Sequence, residues 1–179
     1  MVMSSALNEK ELIQKCINQD PVSQRLLYER YSGIMYAVCL RYSTDADHAK
    51  DLLQEGFIRV FGHLGSYKFE GSFEGWVRRI FVNTAIENYR RNQKGKYFEE
   101  YDDKHDRSVS PDAVSNLNME ELISLIQKLP DGYRTVFNLY VIEGYSHKEI
   151  AEELGITEST SKTQLRKARI VLMEKVNRH

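Results

Sequence analysis

The chain has 179 residues, 41% hydrophobic and 28% charged, with 3 prolines, 2 cysteines and a net charge of −1; this is the composition of a globular protein that leans helical, long enough for one large or two small domains. The longest apolar run, residues 34–40, is too short to span a bilayer, and residues 1–12 lack the basic start and apolar core of a signal peptide, so a cytoplasmic protein without membrane insertion is expected. Cys16 and Cys39 both fall on apolar helical positions, which fits reduced core thiols and argues against a disulfide framework or a metal site.

Asn8 and Glu11 have capping-box spacing between Leu7 and Leu12, predicting a first helix that runs through Ile17. Asp20 and Pro21 open a second, with Leu27, Tyr31, Ile34, Val38 and Tyr42 as its buried stripe. A third begins near Asp45 and carries Leu52, Leu53, Phe57, Val60, Phe61 and Leu64; residues 65–71, holding Tyr67 and Phe69, read as a loop. Ser72 then caps a fourth helix in which Phe73, Trp76, Val77, Ile80, Val82 and Tyr89 alternate with arginines and with Asn83, Thr84 and Asn88. For Trp76, Phe73 and Ile80 core packing is the simpler role. No strand alternation competes with this pattern, and no internal repeat is evident.

Residues 93–116 have almost no apolar period and contain Gly95 and the run Ser108, Val109, Ser110, Pro111, as a flexible linker does. Beyond it, Leu122, Leu125, Ile126 and Leu129 mark a helix stopped by Pro130, and Tyr133, Val136, Phe137 and Tyr140 mark the next. The stretch 145–157, YSHKEIAEELGIT, reads as the start of a helix-turn-helix. Ser146 and Glu149 form a capping box, Tyr145 and Ile150 stand where a hydrophobic staple would, and Gly155 supplies the left-handed residue that ends the helix. Thr157 can cap the following helix, whose Leu165, Ala168, Val171 and Leu172 face inward. That leaves Lys162, Thr163, Arg166, Lys167 and Arg169 for solvent or phosphate.

The small net charge hides a segregation. Residues 76–96 carry Arg78, Arg79, Arg90, Arg91, Lys94 and Lys96 against Glu87 alone. An acidic stretch follows, with Glu99, Glu100, Asp102, Asp103, Asp106 and Asp112, and the chain turns basic again from Lys162 onward. Two cationic surfaces joined by an acidic connector point to two contacts with one polyanion. The expected architecture is all-α: a helical domain over 1–95, a linker over 96–117 and a second helical domain over 118–179.

Three segments, in this order, resemble a bacterial RNA polymerase sigma factor of the extracytoplasmic-function (ECF) subfamily. Residues 47–61, DHAKDLLQEGFIRVF, look like the region 2 helix that docks on the polymerase core. Residues 69–85, FEGSFEGWVRRIFVNTA, are similar to the segment that melts and reads the −10 element, and residues 129–137, LPDGYRTVF, with the helix-turn-helix, resemble the region 4 that reads the −35 element. The resemblance implies an initiation factor that is not an enzyme, needs no cofactor, and binds promoter DNA and the clamp helices of the large polymerase subunit. It also implies an anti-sigma protein as an inhibitory partner.

Each segment has chemistry of its own. Asp51, Gln54 and Glu55 fall at i, i+3 and i+4 and form one acceptor-rich patch, suited to a basic partner, although a solvated face has the same pattern. His48 with Asp51 and Glu55 lacks the ligand set of a metal centre. In the fourth helix, Arg78, Arg79, Arg90 and Arg91 can neutralise phosphates, and Tyr67, Phe69, Phe73 and Trp76 offer apolar walls. The resemblance places Asn83 where an asparagine holds a flipped base, beside a loop that includes Phe69 and Ser72. In the last helix it makes Lys162, Thr163, Arg166 and Lys167 groove contacts, with Arg169 reaching phosphate. Ser161 departs from the family, which more often has an apolar residue there; its hydroxyl could bond back to its own helix. A stand-alone helix-turn-helix regulator would account for the second half but leave the Asp51 patch and the basic aromatic helix without a task. Association with core polymerase separates the two.

Overall fold

The computed structural model describes residues 8–93 and 119–176, and every regular element among them is helical. The elements are α1 (Glu9–Ile17), α2 (Pro21–Tyr42), α3 (Ala46–His63) with a single 3-10 turn (Leu64–Ser66), α4 (Phe73–Gln93), α5 (Met119–Gln127), α6 (Asp131–Phe137) continued by a π-helical turn (Asn138–Ile142), α7 (His147–Leu154) and α8 (Glu158–Val176). They divide into two compact units, the first on α1, α3 and the larger parts of α2 and α4, the second including α5–α8. The predicted linker and the Leu7 contact lie outside the described residues.

The helix starts follow local chemistry. Asn8 Oδ1 accepts from the Glu11 amide at 2.8 Å, Asp20 Oδ2 accepts from the Ser23 amide at 2.9 Å with Pro21 at the first helical position, and Ser72 Oγ accepts from the Gly75 amide at 3.2 Å. Each satisfies an amide that the helix geometry leaves without a carbonyl.

In the first unit the four helices meet through aromatic rings. Tyr28 of α2 lies on Phe57 of α3 at 4.7 Å, Phe57 meets Phe81 of α4 edge-on at 5.3 Å, and Tyr31 of α2 meets Phe73 of α4 at 5.4 Å. Tyr31 also donates to Glu9, which ties α1 to the same seam. One expected core position is displaced. Ile34 is 44% exposed, while Met35 and Cys39 are buried beside Leu27, Tyr31 and Val38. The stripe on α2 runs 27, 31, 35, 38, so position 34 sits about 55° from its centre line, at the edge of the buried face. Cys16 and Cys39 are buried free thiols, and burial pushes the Cys16 thiol up to about 11.

The second unit closes on Leu125, Ile126 and Leu129 from the α5 end packed against Ala168 and Leu172 of α8, with Tyr133 and Phe137 of α6 at its edge. Burying one such leucine or isoleucine contributes about 1.5–3 kcal/mol. Arg134, 3% exposed, donates from Nη1 to the Gln127 and Leu129 carbonyls at 3.0 and 2.8 Å and pairs through Nη2 with Asp131. A guanidinium thus serves the open carbonyl end of α5 and joins it to α6. Tyr140, expected in the buried stripe of α6, is 36% exposed because it lies on the π turn, which widens the helix and shifts the stripe.

Gly56 sets the approach of α3 to α4: a Cβ there would stand 2.2 Å from Cε1 of the buried Phe81 ring. Alanine in an unhindered helix stabilises relative to glycine by roughly 1 kcal/mol. Here the overlap should reverse that sign, and Gly56→Ala is expected to lower stability by about 1–2 kcal/mol. Chemical denaturation checks this, with Gly56→Ala/Phe81→Leu recovering part of the loss.

Candidate nucleic-acid interface

On α3, Asp51 and Gln54 are exposed and Glu55 is half-buried, held by Arg59 one turn on at 2.8 Å. Ile58 follows on the same face at i+7 from Asp51 and is 72% exposed. The acceptor patch therefore continues into an apolar side chain that the charge pattern alone did not single out. The signal was present in the spacing 51, 54, 55, 58, which is one helical stripe.

Between the 3-10 turn and α4 the chain makes a compact aromatic loop. The Tyr67 hydroxyl donates to the Gly71 carbonyl at 3.1 Å, closing it. The Tyr67 ring lies 5.0 Å from Phe69, 5.1 Å from Phe73 and 5.3 Å from Trp76, and Phe73 stacks on Trp76 at 5.6 Å. Tyr67 and Phe73 are buried, Trp76 is half-buried, and Phe69 is 37% exposed. Phe69 also has φ of +57°, a conformation that costs a non-glycine residue energy. Lys10 Nζ of α1 sits 5.7 Å over that ring. Lys10 was not legible as a site residue, since nothing local links it to position 69.

Asn83 is exposed on α4, next to the fully buried Thr84, whose hydroxyl donates to the Ile80 carbonyl at 2.7 Å. Arg79, Asn83, Glu87 and Arg90 follow at helical spacing along one exposed stripe, with Arg78 half-buried beside them and Arg91 exposed at the end. Ser72 and Asn83 are eleven positions apart, about 16 Å along the helix axis. The loop thus stands at the start of α4 and the asparagine about three turns further on.

In the second unit the turn into α7 is made by Gly144 at φ +77°, and α7 starts with a complete capping box: the Ser146 side chain takes the Glu149 amide, and Glu149 Oε2 takes the Ser146 amide at 2.8 Å. Those bonds hold the Glu149 carboxyl below the usual range. Gly155 at φ +67° ends α7, and Thr157 Oγ1 caps α8 through the Thr160 amide at 3.0 Å. Leu165, Ala168 and Leu172 are buried, whereas Lys162, Thr163, Arg166 and Arg169 are exposed and Lys167 is half-buried. Lys162, Arg166 and Arg169 form one stripe and Thr163 and Lys167 the adjacent one.

Ser161 is fully buried, and its Oγ lies 2.9 Å from Nδ1 of His147, the first residue of α7. Its hydroxyl partner is thus on the neighbouring helix, where the sequence pointed to a bond within its own. His147 stacks on Tyr140 at 4.4 Å, and the Arg169 guanidinium lies 6.0 Å over the same Tyr140 ring. Burial, and then the Lys162 charge, hold the imidazole pKa below its ordinary value; Arg169 acts in the same direction and Glu158 opposes.

Among the described residues no group of three or more His, Cys, Asp or Glu side chains is placed to hold a metal ion, and no helix is long and apolar enough to cross a membrane.

Family models described as Sigma-70 region 2 and Sigma-70, region 4 match residues 27–95 and 119–172. The ECF RNA polymerase sigma factor SigW of Bacillus subtilis (strain 168) is 32% identical over 158 residues, which cover 82% of this chain and 84% of that one. The ECF RNA polymerase sigma-E factor of Haemophilus influenzae is 28% identical over 187 residues, covering 97% of this chain and 98% of that one. A solved complex of the sigma factor RpoE with the anti-sigma factor NepR from Bartonella quintana aligns with a TM-score of 0.49 at 18% identity over 84% of this chain and 94% of that one, a likeness too loose to add to the assignment. The two matched regions, in family order, and the near full-length relatives make this chain a member of the ECF sigma factors, non-enzymatic initiation factors that bind RNA polymerase core and direct it to promoters.

Proposed function

We infer that this factor divides its work among three faces. Residues 1–95 bind core polymerase and open the −10 element, residues 118–179 read the −35 element, and 96–117 tether the two in the cytoplasm. The observation that carries the reading is the pair of exposed cationic faces, on α4 and α8, each with a short polar side chain in or beside its stripe of cations: Asn83 in one, Thr163 in the other. Arginines and lysines neutralise phosphates without regard to sequence, whereas an amide or hydroxyl among them meets a base edge.

On the first stripe, Arg78, Arg79, Arg90 and Arg91 follow the backbone of the unpaired strand. Asn83 and the loop that holds Phe69 and Ser72 receive the unpaired bases. On the second stripe, Lys162, Thr163, Arg166 and Lys167 enter the major groove and Arg169 contacts phosphate. The core-binding face is Asp51, Gln54 and Glu55 with Ile58, an acceptor patch for the basic clamp helices of the large subunit and an apolar contact that desolvates it.

Replacing Asn83 with alanine should impair promoter opening, read as loss of permanganate-reactive thymines, while leaving core binding intact; equal loss of both would remove Asn83 from the strand-capture role. Arg166→Ala should weaken binding of an upstream duplex by about 1–3 kcal/mol and relax preference at one base position if it reads a base edge. An unchanged preference would leave it a phosphate contact or no contact. For the polymerase face, Asp51→Lys combined with Ile58→Ser is expected to reduce association with purified core at least about tenfold, the order of a truncated interface anchor. A factor that still binds core normally would place the docking surface elsewhere.

A further inference from the structure

We propose that Ser161, His147 and Tyr140 are positioning residues for promoter recognition: a hydrogen bond and a ring stack fix the rotation of the recognition helix α8, so that Lys162, Thr163 and Arg166 meet the base edges. This rests on the reading of α8 as the −35 contact.

The geometry is a two-point brace. Ser161 and Arg169 are eight residues apart on α8, about 12 Å along its axis. The first is tied through its hydroxyl to His147 at 2.9 Å, and the second lies 6.0 Å over the Tyr140 ring. Between them, His147 and Tyr140 are joined by their own stack at 4.4 Å and an interplanar angle of 22°. A helix held by apolar packing alone can roll by a fraction of a turn at small cost, because burial has no direction. A hydrogen bond at one end and a ring contact at the other define an angle about the axis.

The anchor is itself fixed. His147 opens α7 directly after Ser146, whose capping box with Glu149 holds the start of that helix, and Tyr140 stands on the π turn closed by the Glu143 amide to the Asn138 carbonyl at 3.0 Å and by the Tyr145 amide to the Leu139 carbonyl at 2.9 Å. The imidazole, flanked by Lys162 and Arg169, offers Nδ1 to a serine that has no access to water. A valine-sized apolar residue at 161 would fill the same space with no angular preference. The pair thus exchanges a little apolar contact for direction, and Lys162 and Thr163, the next two residues, inherit the setting.

The test uses holoenzyme assembled from the full chain and core polymerase. Its probe is an upstream duplex recovered by selection from a randomised −35 library with the wild-type protein, compared with a scrambled duplex. Affinities are measured well below each variant's melting temperature, so that loss of folded protein does not enter. Ser161→Ala is expected to lower the ratio of selected to scrambled binding by about fivefold, the size of one neutral hydrogen bond, and His147→Ala by at least as much, since the stack on Tyr140 goes with it. The double variant should be no worse than His147→Ala alone, because the two residues act as one unit. His147→Asn, whose amide places a hydrogen-bonding atom near the position of Nδ1 but cannot stack on Tyr140, should restore part of the ratio. Loss of melting temperature with an unchanged ratio, additive losses in the double variant, or failure of His147→Asn to recover would each overturn the proposal. Arg166→Ala is run alongside: if it lowers the ratio and the brace variants do not, the brace is packing only, and if it too is silent, the −35 role of α8 has failed instead.

Discussion

Among the described residues, four of the eight α-helices have nine residues or fewer, and none of these would hold its shape alone in water. Each exists because one face is buried and its ends are satisfied, and that constraint determines what is left outside. On α3, burial of Leu52, Leu53, Phe57 and Val60 leaves Asp51, Gln54 and Ile58 outward; on α8, burial of Leu165, Ala168 and Leu172 leaves Lys162, Arg166 and Arg169 outward. The contact surfaces on these helices are the residue of the folding problem: the stripe opposite the core is where a helix can offer chemistry to a partner.

A net charge near zero is compatible with DNA binding for the same reason. Coulomb attraction to a polyanion decays over about 8–10 Å at physiological ionic strength, so a groove or backbone senses the nearest helix face and little of the whole molecule. Arg79 and Arg90 flank Asn83 along such a face on α4, with Glu87 the one acid in the stripe. In the role proposed for Asn83, a base reader set among cations is brought to its target by a field that carries no sequence information, and it discriminates only at contact.

What could be read from the sequence was whatever depends on neighbours along the chain. Asn8, Pro21, Ser72, Ser146 with Glu149, Gly155 and Thr157 mark helix ends within three or four residues of the groups they serve, and each stands at the start or stop that it announced. Periodicity gave most of the core but misplaced Ile34, because Met35 and Cys39 are equally apolar and only packing against other helices decides which face turns inward. Tyr140 was misjudged for a related reason: a π turn shifts the phase of the stripe, and no local residue announces it. The partners that lie far apart in sequence were not visible at all. Position 161 was recognisable as unusual, but its bond to His147 joins different helices, and Lys10 meets Phe69 across more than fifty residues. Family likeness supplied the proposed roles, and the structure added Ile58 to the stripe on α3.

The backbone at Phe69 carries a trade that an engineer would meet at once. Its left-handed φ of +57° is a conformation glycine adopts freely, so glycine there would relieve the backbone. The same exchange would erase the ring that projects from the loop with Lys10 above it. Under the role proposed for Phe69, an easier backbone and grip on an unpaired base pull against each other at a single codon, and a version of this factor chosen for the backbone alone would drift toward a folded protein that locates promoters and leaves them shut.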